Sequence, residues 1–138
     1  GVLCAIDLDT VMNSTSLNDF GDAIRSYANT GDEDDRDLSR VGMSLDMFRA
    51  YTEGYLSQRA KQLTEPEIDN LAFSARYITY EQVLRFLMDY IDGDTYYKIK
   101  YPEHNLVRTH AQYELLRSME KQYGTMCDIV RETVAKYR

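Results

Sequence analysis

Apolar residues recur along most of this chain with a helical period. Phe20, Ala23, Ile24, Tyr27 and Ala28 stand at i, i+3 and i+4 spacings, which predicts a helix with one buried face, capped by Asp19 after a polar turn from Asn13 to Asn18. A second helix is predicted from Ser44, with Leu45, Phe48, Tyr51, Tyr55 and Leu56 inward. The segment Leu63-Thr64-Glu65-Pro66-Glu67-Ile68 marks a third start. Thr64 and Glu67 have capping-box spacing, Leu63 and Ile68 have staple spacing, and Pro66 lies in the first turn, where its missing N–H costs nothing. That helix can run to Ile91, with a stop at Asp92-Gly93 and a possible break at Ile78-Thr79-Tyr80.

Elsewhere the period fails. Val2 to Leu8 is a short apolar run rich in small and β-branched residues, which reads as a buried strand, and its alternation puts Asp7 and Asp9 on one side. Gly31 to Arg40, with the acidic run Asp32-Glu33-Asp34-Asp35, reads as a solvated loop, and Asp92 to Asn105 as a long one. Asn105 can cap a further helix with Leu106, Tyr113, Leu116 and Met119 inward, ended by Gly124. Thr125 and Asp128 then open a last helix carrying Met126, Ile129, Val130, Val134 and Tyr137. The expected class is mainly α, one domain over residues 1–138, with one N-terminal strand whose partners are not among these residues.

Composition narrows the class of partner. The 138 residues carry 16 Lys+Arg and 23 Asp+Glu, a net charge of −7, and the basic residues are scattered between acids. A nucleic acid, which draws a basic face, is therefore not an expected partner. No apolar run approaches the ~20 residues of a membrane span, so a membrane is not expected either. Cys4 and Cys127 stand at opposite ends, in no metal-ligand spacing, which suits a reducing, cytoplasmic setting. The chain begins Gly1-Val2, without Met or a signal peptide, which reads as an interior cut in a longer protein. Without such a signal, the acceptor-like Asn13-Ser14-Thr15 carries little weight.

The first candidate chemistry is Asp7-Leu8-Asp9 at the strand's end. Two carboxylates on one side of a rigid element can hold Mg²⁺, or can equally be solvated turn residues or caps.

The run Ala5-Ile6-Asp7-Leu8-Asp9-Thr10-Val11-Met12, followed by Asp19-Phe20-Gly21-Asp22-Ala23-Ile24-Arg25, resembles the segment after the catalytic loop in the aminoglycoside phosphotransferase and choline kinase-like family, in the branch of N-acetylhexosamine kinases. The likeness continues in order through Phe48, Gly54-Tyr55-Leu56, Leu63-Thr64 with Glu67, Leu84 to Tyr90, Gly93-Asp94 with Tyr96-Tyr97, Asn105 to Arg108, and Gln112. Relatives commonly have Pro-Gly after the Met, where this chain has Asn13-Ser14.

The resemblance implies the helical C-terminal lobe of a protein-kinase-like fold. It implies Mg²⁺ and ATP as cofactors, Asp7 as the metal-holding carboxylate with Asp9 assisting, and Asp19 bracing the active-site loop from a helix N-terminus, a role a plain N-cap would equally explain. The nucleotide-binding lobe and a catalytic loop of the form H-x-D-x-x-x-x-N are absent from these residues, so the expected base lies upstream and the chain alone is expected to be inactive. His104 and His110 read as loop and helix-surface residues. The substrate would be a small molecule, an amino sugar. Its candidate contacts are Asp22, Arg25, Arg85, Asp89, Tyr97 and Arg108, although Asp22 with Arg25 and Arg85 with Asp89 also have the spacing of simple helix pairs. Nothing resembles the Cys/Ser-x-Pro-x-Arg signature of a sulfatase. Two further expectations follow: a lobe cut from its neighbours exposes apolar surface and self-associates, and the rival class is a non-catalytic helical interaction module on the same scaffold.

Overall fold

In the computed structural model, which describes residues 14–138, the periodic segments form six helices. They are α1 (Ser14–Tyr27), α2 (Leu45–Arg59), α3 (Glu65–Asp69), α4 (Leu71–Ile91), α5 (His104–Lys121) and α6 (Tyr123–Tyr137), with a single 3₁₀ turn at Leu38–Arg40. The class is mainly α. No strand occurs among the described residues, only an isolated bridge between Asn29 and Met43. The predicted strand, with Cys4, Asp7 and Asp9, lies outside the described residues. No helix among those described is long and apolar enough to cross a membrane.

Side-chain caps form at two of the predicted starts, with the expected capping box at the second. The Ser44 side chain accepts from the Met47 N–H at 3.2 Å, while at Thr64 both arms of the capping box form, Thr64 N–H to Glu67 at 2.8 Å and Glu67 N–H to Thr64 at 3.3 Å. The stop at Asp92-Gly93 is a Schellman motif. Gly93 takes φ +98°, its N–H donates to the Tyr90 carbonyl, and the Asp94 N–H donates to the Asp89 carbonyl at 2.7 Å.

Other boundaries move, each for a packing reason. Helix α1 starts at Ser14, because Leu17, fully buried, extends the Phe20–Ile24–Ala28 face backward by a turn. Asp19 is therefore an exposed residue inside the helix and not its N-cap, and Tyr27, expected inside, is 46% exposed. The long helix divides at Asn70, not at residues 78–80, where Thr79 is buried and donates to the Ala75 carbonyl without a break. Helix α5 begins at His104, so Asn105 is a buried interior residue and not a cap, and Leu115 takes the buried place expected of the half-exposed Tyr113. Gly124 does not end a helix. The junction is Gln122, which leaves Gly124, Thr125 and Asp128 inside α6.

Helix α4 is the hub, packed against α5 on one side and α1 on the other, while α2 packs on α6. Phe20 of α1 meets Phe48 of α2 edge to face at 6.2 Å, and the core continues through Leu56, Leu71, Leu115, Met119, Met126 and Ile129. At Gly21 the α1 backbone touches α4: a Cβ there would lie 2.6 Å from the Ser74 carbonyl oxygen. Gly21→Ala should therefore destabilise by about 1–3 kcal/mol in urea unfolding. Gly54→Ala, in α2 with open space around its Cβ, should stabilise by about 0.5–1 kcal/mol. The ordering of these two midpoints checks the close approach.

Candidate functional site

Most of the predicted contact residues converge on one face of α5. His104, Arg108 and Gln112 follow at steps of four and Asn105 lies beside the first, so these polar side chains occupy a single strip of the helix. Three of the four, His104, Asn105 and Gln112, are buried. Buried polar groups need partners, and the strip finds them in three separate parts of the chain.

At one end Gln112 meets α1. Arg25 donates to the Gln112 Oε1 at 3.0 Å, to Asp22 at 3.0 Å and to Glu33 at 2.7 Å. The expected Asp22–Arg25 helix pair exists, and it is part of a larger bridge. A cleft of about 300 Å³ opens here, lined by Arg25, Ser26, Asn29, Asp32, Glu33 and Gln112. Gln112 Nε2 is buried without a partner among the described residues.

In the middle, Asn105 binds Asp89 of α4 at 2.7 Å and Asp94 at 3.0 Å through Nδ2, and its Oδ1 accepts from Arg108 at 2.8 Å. The Asp89 carboxylate, only 6% exposed, also accepts from the backbone N–H groups of Thr95 (3.0 Å), Tyr96 (2.8 Å) and Tyr97 (3.1 Å). Arg108 reaches the Lys98 carbonyl at 3.0 Å, and its guanidinium lies over Phe86, against which the Tyr97 ring packs. Tyr97 Oη accepts from Gln82 at 3.1 Å. Asp89, Tyr97 and Arg108 thus form one cluster around Asn105, and it orders the long loop after α4. The Arg85–Asp89 pair does not form. Arg85 is exposed and faces Glu81 at 3.8 Å.

At the other end, His104 is not a loop residue but a core one, 1% exposed. Its Nδ1 accepts from the Lys100 N–H at 3.1 Å, which leaves Nε2 to carry the proton and donate to Asp34 at 2.8 Å. Tyr101 stacks on the ring at 4.5 Å, and Arg36 covers Tyr101. His110 is exposed on the helix, as expected.

The acidic run is accordingly not wholly solvated. Glu33 and Asp34 tie to the strip, and Asp35 is buried, accepting from the N–H groups of Asp32 at 3.1 Å and Asp37 at 3.0 Å. The signals for this were the His104/Arg108/Gln112 spacing and an unmatched acidic loop to face it.

The electrostatics agree with the geometry. The hydrogen bond from His104 holds Asp34 below the ordinary carboxylate value of 3.8, and the Asp32 and Asp37 amides do the same for Asp35. Burial pushes Asp89 up, but the amides of Tyr97, Tyr96 and Thr95 with the Asn105 side chain outweigh it and leave it lowered. Among the described residues no group of three or more His, Cys, Asp and Glu is placed to hold a metal ion. The cleft beside Arg25 and Gln112 presents both hydrogen-bond donors and carboxylate acceptors.

A carboxylate whose pKa is lower folded than unfolded stabilises above the unfolded value and loses that contribution as pH falls through the folded one. The contribution of these three carboxylates to stability should therefore be flat from neutral pH down to about 4 and fall below it. Asp89→Asn should lower the urea midpoint at pH 7 and flatten the acid limb. An acid limb as steep as in the wild type would place the linkage elsewhere.

Compared with models of known protein families, the chain matches none.

Proposed function

We propose that the chain is the helical lobe of a protein-kinase-like, ATP- and Mg²⁺-dependent small-molecule kinase whose acceptor is an amino sugar, an N-acetylated hexosamine taking phosphate at its anomeric hydroxyl. The observation that carries this reading is collinearity. Segments resembling the aminoglycoside phosphotransferase and choline kinase-like family run in order from Ala5 to Gln112. In the fold, Arg25 and Gln112, 87 residues apart, share a hydrogen bond, as do Asp89 and Asn105, 16 apart, so these pairs of segments meet.

The donor set at Asp7 and Asp9, two hard carboxylates, suits magnesium, although both residues lie outside the described part. When bound, magnesium–ATP supplies the phosphoryl group and neutralises its charge. The helical lobe binds and orients the acceptor. Arg25, fixed by Asp22 and Gln112, and the carboxylates of Asp32 and Glu33 offer donors and acceptors to sugar hydroxyls, and holding a hydroxyl in line is the larger part of phosphoryl-transfer catalysis. The Asp89–Asn105–Arg108 cluster, with Tyr97, orders the adjoining loop. In this reading the general base comes from a catalytic loop that these residues do not contain.

The test is ATP-dependent phosphorylation of N-acetylglucosamine by the full-length parent. Asp7→Ala should reduce turnover by on the order of 10²-fold or more, as expected for loss of a metal-holding carboxylate. Arg85→Ala, on an exposed face, should leave it unchanged. Equal turnover of wild type and Asp7→Ala contradicts the metal role. An upstream sequence lacking H-x-D-x-x-x-x-N would favour a non-catalytic module.

A further inference from the structure

The outer face of α4 carries a row of large apolar side chains that the described chain leaves exposed. Tyr77 is 41% exposed, Tyr80 50%, Leu84 39%, Met88 61% and Ile91 71%. At 100° per residue they fall within an arc of about 80°, opposite the buried residues Ala75, Thr79, Phe86 and Asp89, and at 1.5 Å per residue the row is about 21 Å long. A helix face turned to water is ordinarily charged, and a contiguous apolar row of this length marks an interaction surface.

The geometry points to a second copy of this chain as the occupant, packed antiparallel on α4 about a two-fold axis at Leu84. The spacing itself is symmetric about Leu84, with Tyr80 and Met88 four residues away on either side and Tyr77 and Ile91 seven away. A two-fold axis there lays Leu84 on the partner's Leu84, Tyr80 on the partner's Met88 and Tyr77 on the partner's Ile91. Each aromatic ring then meets an aliphatic or thioether side chain, the softer partner that fills the space beside it.

The charges favour the same arrangement. Glu81 and Arg85 lie together on one edge of the row, 3.8 Å apart. In an antiparallel pair like edges face each other, so Glu81 comes opposite the partner's Arg85, and the contact occurs twice. A parallel pair would set that edge against the side bearing Leu87 and Arg76, and the complementarity would be lost. A single helix pair gives an interface at the small end of the range, so the association is weak and reversible.

Sedimentation equilibrium of the full 138-residue chain tests this. The weight-average mass should rise from 16.1 kDa toward twice that value as concentration goes from the micromolar to the submillimolar range. Leu84→Glu stacks two like charges on the axis and should stay at the monomer mass, whereas Leu38→Glu, an equally exposed apolar residue on the 3₁₀ turn, should dimerise like the wild type.

Cross-linking in a background with Cys4→Ser and Cys127→Ser reads the orientation independently of those variants. Leu84→Cys should cross-link to itself under mild oxidation, and Tyr77→Cys only when mixed with Ile91→Cys. A wild-type monomer at every concentration would assign the row to a different occupant and overturn the proposal. So would self-cross-linking of Tyr77→Cys alone, which signals a parallel pair, or dimerisation of Leu84→Glu.

Discussion

The contact between the backbones of α1 and α4 at Gly21 and Ser74 sets the geometry of everything that follows. With any larger residue at 21 the helices would separate, because the Cβ has a carbonyl oxygen 2.6 Å away and no side chain that could swing aside. One turn along α1 from Gly21 stands Arg25. The close approach therefore decides whether its guanidinium reaches Gln112 on α5, and with it whether Glu33 and the acidic loop have an anchor. A packing constraint in the core thus becomes an electrostatic arrangement at the surface.

Along α5 the same logic repeats. Asp89 is an acceptor-only group inside the fold, and three loop amides and one side-chain amide converge on it. A long loop without regular structure is ordered because its backbone donors find a buried carboxylate in place of water. His104 ties this loop to the acidic one, its Nδ1 accepting from the Lys100 N–H and its Nε2 donating to Asp34. The result is a polar strip whose side chains are tied to three parts of the chain, with a cleft at one end.

The mainly helical fold was legible in the sequence wherever a local device specified it: the capping box at Thr64, the cap at Ser44 and the glycine stop at Gly93 each depend on residues within a few positions of one another. What was not legible depends on distant partners. Asn105 looks like a cap until Asp89 and Asp94 claim its amide, and His104 looks like a loop residue until Asp34 and Lys100 meet its ring. Asp19 was misplaced because Leu17 lengthens the buried face of α1, a tertiary effect that a polar stretch at its N-terminus conceals. Of the candidate contacts, Asp22 with Arg25 and Asp89 with Tyr97 and Arg108 fall into two clusters along the polar strip of α5. Arg85 stands apart because Glu81, not Asp89, is within its reach.

Buried side chains, rather than regular secondary structure, hold the loop between α4 and α5 in place. Native-state hydrogen exchange at the amides of Thr95, Tyr96, Tyr97 and Lys100 tests it most directly, because these residues lie in an irregular segment whose only hydrogen-bond acceptors for those groups are Asp89 and His104. The account predicts protection comparable to that of amides inside α4 and α5. Exchange at the rate of an open chain would contradict it.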